Sequence, residues 1–92
     1  MTTIFKVLGQ GEALEVQSKQ SESGVTTKCS ILLKEMGGKY ADEFVATMFG
    51  NMANCRFYEG DVVVASLRFQ THEHNGTEFQ DVIVNDIHKI NN

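Results

Sequence analysis

The side chains of this chain best equipped to do chemistry are cations and rings, not nucleophiles. Lys28, Lys34, Lys39 and Arg68 supply positive charge, Tyr40, Phe49 and Phe79 supply aromatic faces, and Thr47 adds a hydroxyl two residues before Phe49. Lys28, Ser30, Leu32 and Lys34 alternate along one stretch, which puts two ammonium groups, a small hydroxyl and a leucine on the same side of an extended chain. Ammonium groups neutralise phosphates and ring faces stack on planar bases. The chemistry open to such a set is therefore non-covalent capture of a chain of bases joined by phosphates. A solvated strand face accounts for the lysines of this one stretch, taken alone, equally well.

Other chemistries are poorly served. No nucleophile and base, glycine-rich phosphate loop or paired-carboxylate signature stands at catalytic spacing, so no catalytic residue is assigned and the chain reads as a non-enzyme. His72-x-His74 would turn both imidazoles to one face of a strand, with Glu73 or Cys55 as further ligands. A bare H-x-H in a polar hairpin arm is far more often a solvated turn, so no metal, cofactor or small-molecule substrate is assigned. Cys29 and Cys55 each sit inside an apolar pattern and read as two buried free thiols.

With 92 residues the chain is expected to form one domain over residues 1–92, since a chain this short buries only about two thirds of its unfolded surface. A hydrophobic content of 41% against 22% charged residues excludes a disordered chain. No apolar run approaches the roughly 20 residues of a membrane helix, and Met1-Thr2-Thr3-Ile4 lacks the pattern of a signal peptide, so a cytoplasmic protein without membrane contact is expected. The net charge of −4 is unevenly spread. Residues 1–39 hold five lysines against four glutamates, or +1, while residues 40–92 hold three cations against eight acids, or −5. One surface can therefore be basic while another is not, and any phosphate binding should be salt-sensitive.

The elements that must position these residues are strands. The most organised stretch is YADEFVATMFGNMANCRFYEGDVVVASLRF: a strand from Phe44 to Phe49 stopped by Gly50, a short amphipathic segment from Asn51 to Tyr58, an acidic turn at Glu59-Gly60-Asp61, and a strand from Val62 to Phe69. Asn51 is the expected helix N-cap, and Met52 and Cys55, with Phe57 as a third candidate, are expected to plug the bottom of a barrel. The first strand runs from Ile4 to about Val16, with Phe5 and Val7 on its inner side. Gly9-Gln10-Gly11 interrupts it as a bulge that lets one strand serve two sheets. Ser18 to Gly24 reads as a loop, and Met36 to Lys39 as a hairpin loop.

The second strand, Val25 to Glu35, turns Cys29, Ile31 and Leu33 to the core. In the third, Phe44, Ala46 and Met48 point inward because Ala46 and Met48 suit a crowded interior, which sends Glu43, Val45, Thr47 and Phe49 outward. In the fourth, Val63, Ala65, Leu67 and Phe69 point inward. Val62 and Val64 fall on the wet face with Ser66, Arg68 and Gln70, and mark a candidate subunit interface. Asn75-Gly76 is the strongest turn signal and precedes a last strand, Thr77 to Ile90. The hairpin arm from Thr71 to Glu78, with His72, His74 and Phe79 on or near it, should project past the barrel.

Five strands with a short helix between the third and fourth is the OB arrangement, an all-β five-stranded barrel whose second and third strands bind oligonucleotides or oligosaccharides. The segment FVATMFGNMANCRFYEGDVVVASLRF resembles the bacterial single-stranded-DNA-binding proteins, in which a phenylalanine-glycine pair ends the third strand and a short helix follows. The likeness extends to VLGQGEALEVQ, SGVTTKCSILLKE and the hairpin NGTEFQDVIVNDI, and so covers nearly the whole chain. It is closer still to a group of small bacterial OB domains that share SG…K, the EGD turn and the HNG hairpin followed by aspartate and isoleucine. The resemblance implies a base-stacking role for Phe49. It departs from that family in having no tryptophan, with Glu43 where one is expected, and the reading expects no acidic recruitment tail beyond Ile90-Asn91-Asn92.

Two readings follow. In the first, Phe49, Tyr40 and Phe79 stack the bases of single-stranded DNA or RNA while Lys28, Lys34, Lys39 and Arg68 follow the backbone, with Thr47 on the same face. In the second, the barrel is a protein-interaction or oligomerisation module without nucleic-acid binding, favoured by the negative charge and by Val62 and Val64. Both expect self-association, a homodimer being the simplest form.

Overall fold

A computed structural model describes residues 1–17, 24–37 and 41–91. The elements are β1 (Thr2–Gln10), β2 (Leu14–Gln17), β3 (Val25–Glu35), β4 (Glu43–Phe49), α1 (Asn51–Asn54), β5 (Val62–His74) and β6 (Thr77–Lys89). Neighbouring strands run β1-β5-β6-β4-β3, and β1 also pairs with β3, so these five strands close a ring. β1 makes the closure possible by dividing its hydrogen bonds: Thr2 to Lys6 face β5, while Phe5 to Gln10 face β3, with a register shift between Val7 and Gly9. β2 is the continuation of the expected long first strand, separated from β1 at Gly11-Glu12-Ala13 and paired to the start of β3.

Period-two alternation builds the core. Phe5 and Val7 from β1, Cys29, Ile31 and Leu33 from β3, Ala46 and Met48 from β4, and Val63, Ala65 and Leu67 from β5 are all buried, on the expected faces. β6 contributes Val84 and Ile87, three positions apart, because Asn85 is an extra residue opposite the Ser66–Leu67 step and rephases the strand.

The two ends of the ring close differently. At one end Ala53 and Phe57 are the buried plug, with Met52 half-buried beside them. This corrects the expected plug: Cys55 is exposed, its thiol donating to the Asn51 carbonyl at 3.6 Å, so only Cys29 is a buried thiol. The helix is a single turn, and Gly50, not Asn51, occupies the N-cap, at φ 67° and ψ −135° with no side-chain cap. By Cys55 the backbone is already extended. At the other end Phe44 stands edge-on to Phe5, centroids 5.9 Å apart, and to Phe69 at 6.0 Å. Phe69 was expected inside. It lies on the inward-pointing side but is exposed, because the hairpin leaves the ring there.

That hairpin is β5 and β6 paired as far as His74–Thr77, with both Asn75 and Gly76 at positive φ, as a two-residue type I′ loop requires. Every residue from Arg68 to Gln80 is exposed, so the expected arm is present and β5 runs past its expected end at Phe69. Among the described residues, no helix is long and apolar enough to cross a membrane.

Candidate functional site

The outward-pointing residues of β3, β4, β6 and β5 make one face. Lys28 is directly opposite Phe49, Ser30 opposite Thr47, Thr47 beside Ile83, and Ile83 opposite Arg68. At about 4.8 Å between strands, Ser30, Thr47, Ile83 and Arg68 form a row roughly 14 Å wide. The face continues onto the arm as Gln70 opposite Asp81 and His72 opposite Phe79. The His72 and Phe79 rings are stacked, 5.4 Å apart and 20° from parallel, and His72 Nδ1 lies 2.8 Å from an Asp81 carboxylate oxygen. The arm's other face carries Glu73 directly opposite Glu78, a like-charge pair.

Phe49 belongs to a groove of about 400 Å³ whose other walls are Arg68 and Gln70 of β5, Ile83 of β6, Val16 and Gln17 of β2, and Thr26 of β3. The ring is 36% exposed, placed outward because Ala46 and Met48 take the interior. Thr47 is half-buried one pleat away. Among the described residues, no acidic side chain pairs with Lys28, Lys34 or Arg68, so their charges are available to an anion. Arg56 and Lys89 differ: Arg56 donates to the carbonyls of Gly11 and Gln10 at 2.9 and 3.4 Å, and Lys89 lies 3.3 Å from Asp61.

The site residues expected from sequence are thus only partly brought together. Phe49 and Arg68 share the groove, with Lys28 and Thr47 at its border. Phe79 is on the same face but out on the arm. Lys34 is on the same side of β3, six residues from Lys28 or roughly 20 Å along the strand, opposite Glu43. Lys39 and Tyr40 lie outside the described residues. The groove also recruits Val16, Gln17, Thr26, Gln70 and Ile83. Gln70 was accessible to sequence reasoning, since alternation puts it on the face of Arg68. Val16 and Gln17 were not, because only their pairing with Thr26 and Val25 brings them here. Val62 and Val64 are half-buried, less exposed than a bare wet face would leave them, since Lys6, Ile4 and His88 stand opposite them in the neighbouring strands.

The electrostatics include one shifted group away from this face. Asp61 Oδ2 accepts the Tyr58 backbone N–H at 2.9 Å, which, with Lys89 nearby, holds the Asp61 carboxyl below its usual value against the opposing effect of burial. Among the described residues, no group of three or more His, Cys, Asp or Glu side chains stands ready to hold a metal ion.

No protein-family model and no curated protein matches the chain. Solved structures do. The second OB-fold domain of replication protein A from Methanococcus maripaludis superposes with a TM-score of 0.70 at 18% identity, over 99% of this chain and 83% of that one. The SSB domain of a Synechococcus protein gives 0.61 at 13% identity, over 96% and 91% of the two chains. A small single-stranded DNA-binding protein from Streptomyces coelicolor gives 0.51 at 12% identity, over 98% and 92%. The ring of strands, the one-turn helix between β4 and β5 and these three superpositions agree: the chain has the OB fold.

Proposed function

We propose that this domain binds single-stranded nucleic acid, DNA in the first instance, by stacking bases on exposed rings and pairing phosphates with cations, without catalysis. The observation that carries this reading is the direct opposition of Lys28 and Phe49 on a face that also holds Arg68. It is supported by the fold, since the structural neighbours are named as replication protein A and single-stranded DNA-binding domains. Lys34 and Phe79 extend the path of the strand beyond the groove, Thr47 lies at its border, and Lys39 and Tyr40 are further candidate contacts on the sequence alone. With one ring in the groove and no tryptophan in the chain, affinity rests heavily on charge and should fall steeply with salt.

The test is fluorescence anisotropy of a labelled oligothymidine at low and moderate salt. Binding that weakens as salt rises, and is weakened further in Phe49→Ala and Lys28→Glu, supports the reading; absence of binding at low salt overturns it.

Self-association completes the proposal. Ile4, 44% exposed, lies opposite Val64 on the outer side of β1 and β5, with Val62 two residues away. This apolar strip is on different strands from the Lys28–Phe49 pair and, on β5, four residues before Arg68, so a homodimer formed through it leaves Lys28 and Phe49 open.

A further inference from the structure

The groove around Phe49 has an uneven set of polar groups, and such a set does not treat all bases alike. Resting on the nucleic-acid reading above, we propose that the groove is a base-reading pocket that takes guanine in preference to thymine. At about 400 Å³ it is near the small end of the roughly 300–1,000 Å³ range of small-molecule sites, so it accommodates a single nucleotide, not a run of them. The strand order places Arg68 and Gln70 of β5 on one side and Gln17 and Thr26 of β2 and β3 on the other. Phe49 and Ile83 lie between them as the surface against which a ring rests.

The donors decide the preference. A guanidinium offers N–H donors in a planar fork and no acceptor. Guanine presents two adjacent acceptors, N7 and O6, on one edge. Adenine replaces O6 with an amino donor, unpaired cytosine has an adjacent acceptor pair only in N3 and O2, and thymine has none, because its N3–H separates O2 from O4. Arg68 is free of acidic partners among the described residues, so its fork is available for such an edge. Gln70, on the same side of β5 two residues along, carries both a donor and an acceptor. It suits the guanine ring's remaining edge, where O6 accepts and the ring and amino N–H groups donate. A general single-strand binder stacks any base. A pocket with this polar rim discriminates.

The experiment compares two labelled oligonucleotides of equal length by anisotropy at one fixed salt concentration: oligothymidine, and the same strand with one central guanine. We expect the guanine strand to bind roughly tenfold tighter, as one good bidentate contact provides. Replacing that guanine by 7-deazaguanine, which lacks the N7 acceptor, should remove most of the gain. Arg68→Lys keeps the charge but loses the fork, so the ratio of the two affinities should collapse towards one. A role limited to phosphate contact would leave the ratio unchanged. Equal binding of both strands by the native protein overturns the guanine preference and leaves the general function standing. Failure to bind either strand overturns both. A guanine preference that survives Arg68→Lys with 7-deazaguanine tolerated also sinks the proposal, because the discrimination then comes from elsewhere.

Discussion

Lys28 and Phe49 face each other across the β3–β4 ladder, so an ammonium group and an aromatic ring leave the sheet at one point. A base stacked on the ring would bring its phosphate within reach of the lysine. Each base stacked on an aromatic contributes about 1–3 kcal/mol, so Phe49→Ala should weaken single-strand binding roughly five- to 150-fold. Its thermal midpoint should hardly change, because the ring is outside the core. Lys28→Glu should flatten the salt dependence measured over the same titrations.

The side-chain amide of Gln10 bridges the backbone on both sides of Arg56. Its Oε1 accepts the Phe57 N–H at 2.7 Å and its Nε2 donates to the Cys55 carbonyl at 2.8 Å. Gln10→Ala would leave both groups without this partner at the foot of the plug. We expect a loss of about 1–3 kcal/mol in urea unfolding. Gln10→Glu should be nearly as damaging, since a carboxylate cannot donate to Cys55.

Gly50 has open space around its Cα but a backbone conformation, φ 67° and ψ −135°, that side chains rarely adopt. Gly50→Ala therefore tests strain without steric clash. It should destabilise the protein by about 1–3 kcal/mol in the same assay, with nucleic-acid affinity retained in the folded fraction.

Asp61 links stability to acidity. Its carboxyl is held below the ordinary aspartate value of 3.8 in the folded state, so the charged form favours folding. The contribution is present above pH 3.8 and is lost as pH falls through the lower folded-state value. A plot of thermal midpoint against pH should drop less steeply in that acid range for Asp61→Asn than for the native protein. At neutral pH the variant should be the less stable of the two.

Self-association through the Ile4–Val64 strip should respond to charge. Ile4→Lys should shift the mass measured by light scattering from dimer to monomer while oligothymidine binding persists. A native protein that is monomeric at high concentration would remove this part of the proposal.

The alternation of apolar residues at period two was enough to assign Cys29, Ile31 and Leu33, or Ala46 and Met48, to the interior. A buried strand face tolerates no slip of a single residue, since that would expose the whole set. The outward position of Phe49 followed from the same rule, and Asn75-Gly76 announced its own turn because few residue pairs accept two positive φ values. The short helix was less legible. Its length depends on Gly50 and on the amide of Gln10, which holds the segment after it from 45 positions away in the chain. Local pattern carries no trace of that contact, which is why Cys55 rather than Ala53 was expected inside.

Local alternation was sufficient for the inner faces of β1, β3, β4 and most of β5 and for the ring that looks outward, since these depend on neighbours one or two residues apart, whereas the inner face of β6 changes phase at Asn85. The tertiary structure alone decided which outward residues share a site. Closure of β1 onto both β3 and β5 and the pairing of β2 with β3 bring Val16, Gln17 and Thr26 across from Arg68 and Gln70, while the straight run of β3 leaves Lys34 far from Lys28. A groove is a property of long-range pairing, and pairing is chosen by the whole core at once.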